Sequence, residues 1–249
     1  PNGHKAYKVL MKILITLCAR GGSKGIPGKN IMDINGKPLI AYSIELAQNL
    51  LPQHQVDIAL STDAEEIKDV ASQWGLSTPY NRPLELASDQ AGKVQTIHHL
   101  LRFEEKRLNK GYDYILDLDV SSPLRTKEDV ENAFELIHSD TNALSLFSVN
   151  PSHRNPYFNM VEQNEEGYFD LVKKLPQSVL SRQASPVVYD LNASFYWYRR
   201  SFFDKGLISP ITERSLVYKM DHICFDLDHQ DDLLYLKFLI KEQRLSGIL

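Results

Sequence analysis

Short apolar runs and helical patterns take turns from the start of the chain to Val149. KILITLC at 12–18, apolar after its first residue except for Thr16, predicts a buried strand. In PLIAYSIELAQNL, residues Leu39, Ile40, Ser43, Ile44 and Ala47 recur at helical spacing, which predicts a helix with one core-facing side. QVDIALST at 55–62 predicts a second strand, and DAEEIKDVASQWG at 63–75 a helix ended by Gly75. The loop YNRPLELASDQAGK leads into a long helix from Val94 to Leu108, followed by a strand, YDYILDLDV. SSPLRTKEDVENAFELIHSD then holds a helix that starts at Thr126, its N-cap, with Asp129 three residues on; ALSLFSV is a further strand. Strands separated by helices imply βαβ units, hence an α/β fold with a mostly parallel sheet and helices on both faces. In such sheets ligands bind beyond the carboxyl ends of the strands.

The alternation breaks after Val149. Residues 150–192 are rich in Pro, Asn, Gln and Ser, and hold two short β-like pieces, YFNMVE and GYFDLV. They read as an excursion from the α/β core. The core resumes with two expected strands, NASFYWYR and HICFDLD, and closes with an amphipathic helix, HQDDLLYLKFLIKEQRL. The organisation is thus a lead-in over 1–10, one domain over 11–249, and an insertion over 150–192. Met11 is a candidate natural start.

Composition narrows the function. With 43% apolar residues, the 249-residue chain has enough material for a large core. A net charge of −4 argues against general affinity for nucleic acid. The two cysteines, Cys18 and Cys224, lie in strand-like runs and read as buried thiols in a reducing cytoplasm. No apolar run is long enough for a transmembrane helix, so no membrane association is expected.

One loop stands out. LCARGGSKGIPGKN, directly after the first strand, carries Gly21, Gly22, Gly25 and Gly28 with three cations, Arg20, Lys24 and Lys29, and no acid. Glycines let the backbone turn sharply and bring N–H groups to a ligand, and the cations would offset most of a triphosphate's charge. The spacing fits neither the G-x-x-x-x-G-K-[ST] nor the G-x-G-x-x-G phosphate loop. A solvated surface turn is the alternative, but the place at a strand's carboxyl end favours phosphate. Two D-x-D pairs, Asp117/Asp119 and Asp226/Asp228, also close strand-like runs, where two carboxylates can reach one ligand.

The loop ARGGSKGIPGKNI followed by GKPLIAYSI resembles the opening of the acylneuraminate cytidylyltransferases, the CMP-sialic acid synthetases. The likeness continues in order through STDAEEI, RPLELASD, DVSSPLR, RQASPVVYDLNAS and FDLDHQDDL, and is strongest to members of legionaminic acid type. It implies a Rossmann-like three-layer α/β/α sandwich of the nucleotide-diphospho-sugar transferase type, and a CTP-dependent activation of a nine-carbon 2-keto-3-deoxy sugar acid. It also implies a homodimer joined through the β-rich excursion. Rival readings are a nucleotidyltransferase for another sugar, a metal-dependent glycosyltransferase, and a non-catalytic nucleotide binder.

Carried over residue by residue, the resemblance makes Arg20, Lys24, Asp226 and Asp228 catalytic. The nucleotide would be held by Ala19, Arg20, Gly21, Gly22, Ser23, Lys24, Lys29 and Asn30, with Arg82, Ala87, Ser88 and Asp89 around the base. Sugar contacts would come from Asp119, Ser121, Ser122, Arg125, Arg182, Gln183, Tyr189 and Asn192, with Arg182 reaching a partner subunit's site. Asp226 and Asp228 match the family's acids for Mg²⁺, with Mn²⁺ as the alternative cation. Asp119 stands where some relatives carry Gln, which leaves it open between a metal ligand and a sugar contact. Asp117 is expected to face the other layer or to cap a turn.

Overall fold

The computed structural model describes residues 9–23, 25–88, 90–177 and 181–249. In chain order the elements are β1 (Lys12–Cys18), β2 (Asp33–Ile34), β3 (Lys37–Pro38), α1 (Leu39–Asn49), β4 (Gln55–Ser61), α2 (Glu65–Gln73), α3 (Lys93–Leu108), β5 (Tyr114–Leu118) and α4 (Lys127–Ser139). Then come β6 (Ser145–Pro151), β7 (Val161–Gln163), β8 (Phe169–Leu171), β9 (Tyr189–Arg199), α5 (Arg200–Asp204), β10 (Ser215–Lys219) and α6 (Gln230–Lys241).

Six strands form the central sheet in the order β10-β6-β9-β5-β1-β4. β1 runs parallel to both β4 and β5, β10 runs parallel to β6, and β9 lies antiparallel between β5 and β6. Alternation along β1 divides the core. Ile13, Ile15 and Leu17 pack with α1, α2, α4 and α6 through Leu39, Ile40, Ile67, Phe134 and Leu236. Leu14 and Ile115 pack on the opposite face against α3 and α5, with Ile97, Leu100, Leu101 and Phe202. The result is the expected three-layer sandwich. The local signals hold as well. Gly75, at φ 84°, follows α2, where its N–H reaches the Ser72 carbonyl. Thr126 and Asp129 form a reciprocal capping box at α4.

One expectation fails. HICFDLD forms no strand: residues 222–228 have no regular secondary structure. The edge strand is instead SLVYK, β10, whose five residues pair with Ser145–Val149 of β6. Ile223, Cys224 and Phe225 are still half-buried and Leu227 is fully buried, because the segment caps the core rather than joining the sheet. Apolar content alone does not separate those two outcomes.

Strand direction decides what meets where. β1, β5, β6 and β10 are co-directional, so the segments leaving them all emerge at one edge: the glycine loop, residues 119–126, the excursion, and the acidic stretch 220–229. The excursion leaves β6 after Pro151 and returns at Tyr189, its register partner on β9. It carries the β7–β8 hairpin, on which Val161, Tyr168 and Phe169 are 60–70% exposed.

Candidate active site

The glycine loop is pinned from below and from across. Ala19 N–H donates to the Ser61 carbonyl at 2.9 Å, and Asn30 Nδ2, inside the loop's far end, donates to the Arg20 carbonyl at 2.9 Å. Gly21 N–H donates to Asp63 Oδ1. Gly25 has no room for a side chain: a Cβ there would stand 1.9 Å from the Asp228 carbonyl oxygen. Lys29 Nζ donates to the Leu227 carbonyl at 2.6 Å and pairs with Asp228 Oδ1 at 3.1 Å. The loop and the acidic stretch are therefore one packed unit. Lys29, expected on the triphosphate, thus contacts the acid while also lining the cationic cavity. Lys24 and Asp89 lie outside the described residues.

The acidic stretch has two further anchors. Leu227 N–H donates to the Ser121 carbonyl, and Ser122 Oγ donates to the Phe225 carbonyl, which ties it to the segment after β5. Asp232, in the first turn of α6, accepts from the N–H groups of Asp228 and His229. Asp226 is held where one carboxylate oxygen, Oδ1, is buried without a hydrogen-bond partner. Burial, Asp119 and Asp228 together push its carboxyl up from its ordinary 3.8 to about 7.

Two cavities are lined by segments of this edge. The first, of about 280 Å³, is lined by Arg20, Ser23, Lys29, Asn30, Arg82, Ser88, Lys93, Asp119 and Ser121, among others. Four of these nine are cations and one is an acid, so the cavity suits an anion. Arg82 is buried and donates to Ser61 Oγ and to its carbonyl, which fixes the guanidinium in the wall. Arg20 Nη1 lies 3.5 Å from the Ala87 carbonyl, linking the glycine loop to the RPLELAS segment. The second cavity, of about 800 Å³, is lined by Asn150, Asn192, Met220, His222 and Tyr235, and by Asp226.

Several expected sugar contacts are elsewhere. Arg125 is 4% exposed and donates to the carbonyls of Asp119, Ser122 and Ser194 and to Ser43 Oγ. It knits the segment after β5 together, and burial takes its guanidinium down to about 10. Ser122 is likewise buried, with its hydroxyl on the Asn192 and Phe225 carbonyls. Asn192 bonds Asn150 and Ser148 while facing the second cavity. Arg182 and Gln183 sit on an exposed 3-10 turn of the excursion, and Tyr189 is exposed at the start of β9; none of the three lines either cavity.

Asp117 departs from both of its expected placements. It lies on β5, just before the segment that carries Asp119, is fully buried, and accepts from Thr16 Oγ1 at 2.7 Å. The residue that links the pair is Lys93, which the sequence reading passed over. Its ammonium lies 3.1 Å from Asp117 Oδ2, contacts Asp119 Oδ2, and stands 4.7 Å from the Tyr196 ring centroid. Burial acts against charging Lys93, but Asp119 and Asp117 outweigh it and raise its pKa well above the ordinary lysine value. Burial would raise Asp119; Lys93 and the Ser121 donors reverse that and take it down to about 2. A signal was present in the sequence. A lysine as first residue of a helix opposes the macrodipole, and such local conflicts tend to mark functional places.

The cytidylyltransferase family profile matches residues 14–203. The chain belongs to the cytidylyltransferase family. This cytidylyltransferase is 38% identical over 240 residues to post-translational flagellin modification protein B of Campylobacter coli, covering 96% of this chain and 99% of that one. It is 37% identical over 240 residues to CMP-N,N'-diacetyllegionaminic acid synthase of Campylobacter jejuni, covering 95% and 98%. Among solved structures its fold is similar to CMP:2-keto-3-deoxy-manno-octonic acid synthetase complexed with CTP, with a TM-score of 0.68 at 17% identity over 93% of this chain and 99% of that one. The cytidylyltransferase has no described helix long and apolar enough to cross a membrane. Its two cysteines are free and half-buried, and burial raises the pKa of each thiol.

Proposed function

We propose that the chain transfers CMP from CTP to a nine-carbon 2-keto-3-deoxy sugar acid of the legionaminate or N-acylneuraminate type, giving the CMP-sugar and pyrophosphate. The observation that carries this reading is the joint between the cationic cavity and Asp226–Asp228, made by Lys29 and by the close approach of Gly25 to Asp228. A triphosphate in the cationic cavity would have its phosphates beside those two acids. Relatives that match nearly the whole chain carry names for this chemistry.

The residues fit a magnesium ion. Asp226 offers a buried oxygen without a partner, and Asp228 is 62% exposed at its side chain. Among the described residues no group of three His, Cys, Asp or Glu side chains is placed to hold a metal, so remaining ligands would be substrate oxygens, as magnesium prefers. Bound to Asp226 and Asp228, the cation would supply charge neutralisation at the α-phosphate. The chain's own work is positional and electrostatic. Arg20 and the N–H groups of the glycine loop hold the triphosphate and receive the charge of the departing pyrophosphate. Arg82 and the segment around Ala87 and Ser88 wall the base. The sugar's anomeric hydroxyl oxygen bonds to the α-phosphorus as the bond to the pyrophosphate oxygen breaks, and the hydroxyl proton is released. The sugar acid occupies the larger cavity, with Asn192 and Asp226 in its wall.

The exposed Val161, Tyr168 and Phe169 of the hairpin are too few to bury themselves, and a second copy would cover them in a cytoplasmic homodimer. The test of the function is a substrate panel. N-acylneuraminate, legionaminate, pseudaminate and deoxy-octulosonate are each offered with CTP and Mg²⁺, and pyrophosphate release is read. Release that needs both CTP and a nine-carbon acid supports the reading; release with a sugar 1-phosphate, or with CTP alone, overturns it.

A further inference from the structure

We infer that Lys93 is a built-in counter-cation that withdraws Asp119 from metal coordination and fixes it as a positioning acid in the wall of the cationic cavity, leaving Asp226–Asp228 as the sole metal pair. The inference rests on the metal reading above. Its ground is the unequal state of the three carboxylates at this edge. Asp119 has both oxygens engaged: Oδ2 with the Lys93 ammonium, and Oδ1 with Ser121 N–H at 2.8 Å and Ser121 Oγ at 2.7 Å. Asp226 has a buried oxygen with no partner at all. A cation approaching the edge meets one acid whose two oxygens are both engaged, one of them by an ammonium, and another with a buried oxygen that has no partner.

Lys93 is placed for this by the fold. It is the first residue of α3, and the first turn of that helix carries no acid to balance it. A cation there opposes the helix dipole, so its position is not explained by helix formation. Its ammonium instead turns back over the end of β5 to Asp117 on the strand and Asp119 just beyond it, with the Tyr196 ring on a further side. Asp117 is fully buried and already accepts from Thr16, so it anchors the ammonium while Asp119, at the cavity wall, is held by it. Arginine could replace the charge, but its planar fork is larger than the space an ammonium fills. A neutral residue would leave Asp117 and Asp119 as uncompensated neighbours and make Asp119 available to a cation.

The experiment is a double-mutant cycle on the nucleotide-free protein, with Mn²⁺ affinity read by electron paramagnetic resonance. The variants are Lys93→Met, Asp119→Asn, and both together, each checked for folding by circular dichroism. If Lys93 sequesters Asp119, removing Asp119 changes Mn²⁺ affinity less than about twofold in the wild type. In the Lys93→Met background the same removal lowers it at least about tenfold. An effect of Asp119→Asn that is equal in both backgrounds overturns the inference, because a merely electrostatic lysine would give that result. Should Lys93→Met not fold, the wild-type arm still decides: a loss of about tenfold or more on Asp119→Asn alone makes Asp119 a metal ligand and overturns the inference, and a loss under about twofold supports it. Asp226→Asn separates the two readings. Unchanged Mn²⁺ affinity in that variant overturns the metal pair itself, whereas lost affinity with an equal Asp119 effect overturns Lys93 alone.

Discussion

Lys29 and Asp228 stand 199 positions apart in the chain, yet the lysine's Nζ is 3.1 Å from the aspartate's Oδ1. The same ammonium donates to the Leu227 carbonyl. The cationic loop and the acidic stretch are thereby held as one wall of the site, and Asp228 keeps a fixed orientation although most of its side chain is open to solvent.

Asp228→Ala should lower kcat by about 10³-fold or more while leaving the melting temperature within a few degrees, because the exposed carboxylate packs against little. Lys29→Ala should lose less, about tenfold in kcat/KM, since it positions that acid without needing to touch the reacting atoms. Steady-state kinetics at saturating Mg²⁺ and thermal melts check both. Wild-type turnover in Asp228→Ala would remove the acid from the machinery.

Gly25 and Gly22 form a controlled pair. A Cβ at Gly25 would stand 1.9 Å from the Asp228 carbonyl oxygen, whereas at Gly22 nothing lies within 4 Å. Gly25→Ala should push the loop off the acidic stretch and lower CTP productivity about tenfold or more. Gly22→Ala should fall less. Equal losses in the two would show that loop freedom, not the close approach, is what the glycines supply.

Asp226 gives a pH signature in metal-free protein. Its carboxyl sits near 7 in the folded chain against about 3.8 ordinarily. Between these values the folded state binds more protons than the unfolded, so stability from this residue falls as pH rises through the window. It is fully retained below about pH 4 and lost above about pH 7. In chelator, the difference in melting temperature between Asp226→Asn and wild type should therefore grow in the variant's favour from pH 5 to pH 8, and shrink on adding Mg²⁺. A pH-independent difference would contradict the buried, cation-hungry placement.

Arg182 lines neither cavity of its own chain, which motivates a subunit-mixing test. If the chain pairs as proposed, Asp228→Ala and Arg182→Ala chains should each be inactive alone and recover activity when paired with each other, because one of the two sites is then wholly intact. Verified heterodimers without recovery would confine Arg182 to its own subunit or to no substrate role.

The sequence by itself determined the βαβ alternation, the Thr126–Asp129 cap, the Gly75 stop and the glycine-and-cation loop after β1. These are local matters: periodicity, capping and turn chemistry are written within a few residues of where they act. Resemblance added the acids at 226 and 228, since a D-x-D alone has no unique meaning. Tertiary structure alone decided the rest. HICFDLD and SLVYK are both plausible strands by composition, and the edge was settled by which run could pair with β6. Arg125 is a sugar contact by resemblance, but its burial among the carbonyls of Asp119, Ser122 and Ser194 makes it a brace. Lys93 was invisible as a partner of Asp117 and Asp119, which are 24 and 26 positions away. An ion pair between a helix start and a strand end depends on how the two elements dock, and the local pattern of neither carries that information.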